Sequence, residues 1–454
     1  MTRSNSTNKR GITRLALFAG WGLLTLCIGV GTFAAILWAT GAFDSLSQPE
    51  PIATATTEPP AATATEPSAP IPTLEPTLRP SPPGEDVAGG DPCGYPPAPA
   101  SGFIYGIQMN PFISDNDYFL GVVNNLNMPW VKAQIRWADL ELTPGDFNWG
   151  AMDNFLNTAC EKKIRVMLSI VTAPAWTQAA PPAQVAPPDD VQLYADRVRE
   201  IAARYPGKIG AIEVWNEQNL DREWDTSTGV NPEDYLRLLQ LAYAAIKEAD
   251  PTIIVISGAL SPTGLNCATS FPECAPGPRV VVMDDATYMS RFVELDGLDY
   301  ADCVGTHSNG TNLPPEADGA NPPPQGDLTF AGPWTNPHYS WALASQVDTY
   351  WEIVKGQKPM CVTEFGYAAA VDGQYPPDFG FAADVSEEQQ GEYLARAFDW
   401  LRGSGKVMGA WLFNLDYGPK GSDPASDDNV LFSLLYRDGT ARPAFGVIGE
   451  MPKP

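Results

Sequence analysis

The sequence predicts an α/β chain whose main body is a (β/α)8 TIM barrel, and three observations predict it. Eight short apolar runs recur after residue 100, at 102–108, 131–137, 165–171, 210–217, 252–260, 303–309, 360–366 and 407–415. Helical patterns lie between several of them: Val191, Tyr194, Val198, Ile201 and Tyr205 fall on one face, as do Tyr235, Leu238, Leu239, Ala242 and Ile246. Strands alternating with helices imply right-handed βαβ units and a parallel sheet, and eight units in about 350 residues fit a closed barrel better than an open sheet.

What precedes the barrel divides by composition. Residues 1–14 carry Arg3, Lys9, Arg10 and Arg14, and residues 15–40 that follow contain no charge. A helix needs about 20 apolar residues to cross a bilayer, so 15–40 is expected to be a transmembrane signal anchor with the basic tail in the cytoplasm. A secretory signal peptide, cleaved near "ATGA", is the alternative, although its apolar region would be only about 7 to 15 residues long. Residues 41–99 turn to Pro, Thr, Ala and Glu and read as a disordered linker, because so few large apolar side chains cannot offset chain entropy. Extended at about 3.1 Å per residue, it would hold the domain 100–454 up to ~150 Å from the membrane. The expected location is the cell membrane, single-pass, with the barrel extracytoplasmic, or secreted if the segment is cleaved.

The formal net charge is −26 and no Lys/Arg run lies beyond residue 14, which argues against nucleic acid as a partner. A monomer is expected. Six of the seven cysteines lie beyond the membrane segment. In an oxidising compartment Cys267 and Cys274, which bracket "CATSFPEC", are expected to pair. The pairing of Cys93, Cys160, Cys303 and Cys361 stays open. With only His307 and His338 in the chain and no C-x-x-C spacing, neither a metal site nor a cofactor is expected.

Barrel active sites lie at the carboxyl ends of the strands. The fourth run, "GAIEVWNE", delivers Asn216 and Glu217 there, and the seventh, "MCVTEFG", delivers Glu364. Strands four and seven face each other across a barrel mouth. Two carboxyl groups converging from opposite sides suit glycoside hydrolysis, in which one protonates the leaving oxygen while the other attacks the anomeric carbon or activates water.

These residues also carry a resemblance. "EVWNEQN" and "VTEFG" are similar to the acid/base and nucleophile signatures of glycoside hydrolase clan A. "IRWADLELTPGDFNWGAMDNFL" (135–156) resembles the second-strand segment of families 5 and 39, with family 39 nearer. The likeness extends from about Gly102 to Pro454. It implies a retaining glycosidase acting on extracellular β-linked poly- or oligosaccharide, with Glu217 as acid/base, Glu364 as nucleophile and Asn216 on the sugar 2-hydroxyl. Arg136 becomes the arginine near the nucleophile, His307 a site histidine, and Trp411 the aromatic floor of the subsite. Gln218 departs from the pattern, where the clan usually has proline. So does "IVTAPAW", which lacks a histidine that family 5 cellulases carry.

Each residue has a plainer reading as well. Arg136 could pair with Glu213, which strand alternation points inward; His307 could be a rim histidine, and Trp411 could be core. Trp176, Trp224, Trp334, Tyr339 and Trp341 lie where a glycan could stack, the last three ending the long Gly/Pro/Asn-rich loop 308–337, read as a wall of the groove. A retaining pair implies carboxyl groups about 5 to 5.5 Å apart. The competing function is a carbohydrate-binding surface protein built on an inactive barrel.

Overall fold

In a computed structural model of the chain the described residues are 91–97, 100–112, 115–179, 185–263, 279–310, 312–320 and 338–454. The expected tail 1–14, membrane segment 15–40 and most of the linker lie outside them, as do Cys267, Cys274, Trp334 and most of loop 308–337. Among the described residues no helix is long and apolar enough to cross a membrane.

Eight parallel strands form one sheet: β1 Ile104–Gln108, β2 Trp130–Arg136, β3 Arg165–Val171, β4 Ile209–Val214, β5 Ile254–Ser257, β6 Val304–Gly310, β7 Met360–Tyr367 and β8 Val407–Leu412. Their order, β5-β4-β3-β2-β1-β8-β7-β6, leaves β5 and β6 at the ends. Bridges Ile256↔Cys303 and Leu260↔Thr306 join those ends, so the sheet closes on itself. A helix follows each strand: α1 Asn116–Asn125, α2 Trp149–Glu161, α3 Val191–Arg204, α4 Pro232–Ala249, α5 Asp285–Glu294, α6 Leu343–Ile353, α7 Glu387–Gly403 and α8 Pro443–Glu450.

Local chemistry sets these helices. Asn231 caps α4 by accepting from the Asp234 N–H, ahead of Pro232 in the first turn, and Ser386 with Gln389 forms a capping box on α7. The faces read from sequence are buried: Tyr194, Val198 and Ile201 on α3, and Tyr235, Leu238, Leu239, Ala242 and Ile246 on α4. They form the outer, helix-to-strand layer of the core.

Inside the barrel, Ile104, Trp130, Met167, Ala211, Ile256, Cys303, Cys361 and Trp411 pack as one floor. Trp411 is fully buried there, edge-on to Trp130 at 6.0 Å between ring centroids. A Cβ on Gly106 would come within 2.1 Å of its ring, so glycine on β1 makes the room it occupies. This corrects the expectation that Trp411 forms the floor of a sugar subsite. It faces inward as strand alternation requires, but it belongs to the packed barrel interior.

Two disulfides answer the open cysteine pairing. Cys303–Cys361 ties β6 to β7 within the floor, and Cys93–Cys160 ties residue 93 to α2. The second shifts the expected linker boundary. The Asp91 carboxylate accepts from the N–H groups of Cys93, Gly94 and Tyr95, and the Arg165 guanidinium lies 4.3 Å over the Tyr95 ring. Residues 91–97 therefore belong to the folded body.

Candidate active site

Strand β4 stops at Val214, three residues short of the run 210–217, because Trp215 turns left-handed at φ 77° and Glu217 follows at φ 43°. A bulky side chain pays for that conformation, by about 1–3 kcal/mol, and holds it only where its surroundings enforce it. Here they do. The Trp215 ring packs against Tyr194 and Trp224 on the helix side and donates to the Glu223 carbonyl at 2.9 Å. The Glu217 N–H donates to the Ala259 carbonyl at 2.8 Å. Gln218, in place of the expected proline, donates to the Gly258 carbonyl at 2.8 Å, and Asn219 to that of Ser261 at 2.8 Å. The segment after β4 is thereby stitched to the end of β5.

Glu364 is delivered by a different device. The pairing of β6 with β7 runs Thr306↔Val362 and then His307↔Glu364, so Thr363 is an extra residue, and the β7–β8 register shifts at the same place. Such a bulge lets consecutive side chains reach one side. Thr363 Oγ1 donates to Glu213 at 2.6 Å, and Glu364 accepts from Lys132 Nζ at 3.0 Å.

Lys132 is the residue that sequence reading missed. It is fully buried on β2 and also lies 3.2 Å from Glu213. Burial would pull its pKa down, but Glu213 and Glu364 outweigh burial and the net shift is upward. The cation beside Glu364 is thus Lys132. Arg136, four residues on, has left the interior: its side chain is 47% exposed and pairs with Asp139 at 3.4 Å. Both readings of Arg136, as partner of Glu364 and as partner of Glu213, are corrected. A lysine at an inward position of "WVKAQIR" was the available signal, since a buried charge needs partners.

His307 stands on β6 between the two glutamates. Its Nδ1 is 3.0 Å from Glu217 Oε1 and its Nε2 3.9 Å from Glu364 Oε1, with the ring fully buried. Burial would lower its pKa, yet Glu364 and the hydrogen bond to Glu217 carry it upward. The other oxygen of Glu217 accepts from Arg222 Nη2 at 2.8 Å. Burial works to raise the Glu217 pKa, but the His307 bond and the Arg222 charge prevail and lower it to about 2. Glu223 is affected oppositely: burial and the charge of Glu217 push it up to about 7. Arg222 and Glu223 lie within six residues of Glu217, in "NEQNLDREW", and that proximity was their only signal.

Asn216 is nearly buried, with its Oδ1 lacking a hydrogen-bond partner. Trp176 sits half-buried after β3, edge-on to Trp137 at 5.9 Å and donating to the Glu141 carbonyl. Trp224 and Trp341 are core residues, and Tyr339 donates to Asp285 at 2.7 Å.

No family profile and no curated protein matches the sequence. Solved structures do. The chain is similar to a family 39 glycoside hydrolase from Bacteroides cellulosilyticus WH2, at 17% identity and TM-score 0.55 over 78% of this chain and 64% of that one. It is similar to a glucosidase from Croceicoccus marinus, at 13% identity and TM-score 0.52 over 76% and 66%. A third is native xylanase 10B from Thermotoga maritima, at 13% identity and TM-score 0.50 over 77% and 95%. The chain spans just under two thirds of the length of the first two. At these identities the likeness establishes the fold: this chain carries the (β/α)8 barrel on which those hydrolases are built.

Proposed function

We propose that the chain is a retaining glycoside hydrolase that cleaves β-glycosidic bonds of external poly- or oligosaccharides by double displacement. One observation carries this reading: Glu217 from the end of β4 and Glu364 from β7 converge on the same buried imidazole, at 3.0 and 3.9 Å. In the first step the Glu364 carboxylate attacks the anomeric carbon while the bond to the leaving oxygen breaks and Glu217 gives that oxygen its proton. In the second, water attacks the glycosyl-enzyme, Glu217 takes the water's proton, and Glu364 is released. Lys132 supplies the fixed positive charge against which Glu364 sits. The unpartnered Oδ1 of Asn216 supports a role for it in accepting from a sugar hydroxyl. Two disulfides in the barrel support an oxidising compartment, and with it export, either tethered through 15–40 or secreted if that segment is cleaved.

A panel of aryl β-glycosides, β-glucans and xylans tests the reading, with NMR of the first-formed product. Turnover with the β-anomer released first, abolished in Glu364→Gln, is expected. Binding of a glycan without turnover would instead favour the inactive binding barrel, and an inverted product would assign Glu364 to water activation.

A further inference from the structure

Both oxygens of Glu217 are occupied. Oε1 bonds His307, which is fully buried and fixed, and Oε2 bonds Arg222, whose side chain is 68% exposed. A carboxyl group that is to protonate a leaving oxygen needs one oxygen free to carry the proton outward. His307 is fixed within the barrel. Arg222 lies on the loop after β4 with most of its side-chain surface exposed and its guanidinium seated on Glu217, so it is the partner with room to move. We propose that Arg222 is a positioning residue that gates Glu217: it occupies Oε2 of the carboxylate in the free protein and swings away as the leaving-group half of the substrate enters the mouth. The proposal rests on the glycosidase reading above and extends it, coupling the acid form of Glu217 to occupancy of the site.

The surroundings support this division. The groups facing Glu217 are His307 from β6, Arg222 and Glu223 from its own loop, Glu364 from β7 by way of His307, and Asp428 beyond Arg222. Lys132 and Arg136 lie behind Glu364 and beside Glu223. Without Arg222, the neighbours left on the outward side of Glu217 are acidic, Glu223 and Asp428, and they favour its proton. The arrangement frees Oε2 of Glu217 for the leaving oxygen only when the site is filled, with His307 still on Oε1.

The test uses the full chain, Arg222→Gln and Arg222→Lys. First, carboxyl-carbon NMR titration of Glu217 in ligand-free protein, assigned with Glu217→Gln, reads the gate without turnover. Its midpoint is expected to rise by about 0.2 to 0.7 unit in Arg222→Gln, the scale of a solvent-screened ion pair, and to stay at the wild-type value in Arg222→Lys. An unmoved midpoint overturns the proposal whether or not the protein turns anything over. Second, on a β-glycoside with a poor leaving group, the basic limb of kcat/KM, which reports the free enzyme, should move up by the same amount in Arg222→Gln. The limb of kcat, which reports the complex, should not follow. Limbs that move together mean Arg222 stays on Glu217 in the complex, and the gate is refuted. A moved midpoint without turnover on any glycan refutes the glycosidase reading instead.

Discussion

Replacing Glu217 by Gln keeps its shape and removes its charge, and the structure sets how much stability that charge contributes. A carboxyl lowered from 4.5 to about 2 is favoured in its ionised form on folding by about 3 kcal/mol, at about 1.36 kcal/mol per pKa unit. The sign follows from linkage. The folded value lies below the unfolded one, so the contribution is complete above about 4.5 and is lost as pH falls from there through about 2. Most of it belongs to the buried His307 bond, since Arg222 is 68% exposed and its screened pair is worth about 1 kcal/mol or less. Urea unfolding of wild type and Glu217→Gln at pH 7 and at pH 2.5 measures it. At pH 7 the variant should be less stable by about 3 kcal/mol, and at pH 2.5 the gap should shrink to about a quarter of that. Equal stability at pH 7, or the same gap at both pH values, would refute the reasoning, because neither is compatible with a carboxylate held ionised by its neighbours.

Three further outcomes are expected. Glu217→Ala should turn over glycosides of activated phenols far better than those of sugar leaving groups, and azide should partly rescue it on the activated substrate, giving a β-glycosyl azide; equal loss on both, with no rescue, would remove Glu217 from the acid role. Lys132→Met leaves Glu213 and Glu364 buried without their cation, so denaturant unfolding should show a loss of about 3–5 kcal/mol, largely recovered in Lys132→Met with Glu213→Gln. Opening Cys93–Cys160, which closes a separation of 67 residues, should cost about 4 kcal/mol of chain entropy, read as a lower melting temperature of the double Ser variant.

The sequence alone determined the periodicities, and with them the barrel and the polar residues at strand ends. Asn216, Glu217, His307 and Glu364 could be picked out because an apolar strand seldom ends in a carboxylate, an amide or an imidazole without a reason, and the order of strands placed them on one rim. Strand alternation also pointed Glu213 inward, correctly. The tertiary structure decided depth, partner and reach. Trp411 has the right face but lies in the floor, where Gly106 makes its room. Arg136 and Lys132 share a strand, yet only Lys132 stays inside to meet Glu364. The bulge at Thr363 and the left-handed turn at Trp215 re-aim the two glutamates by one residue each, and Cys93 finds Cys160 across 67 residues. Periodicity is a local property that fixes which way a side chain points. How far along the barrel axis it sits, and which charge it meets there, depends on register, bulges and closure, and those are settled only when all eight strands pack together.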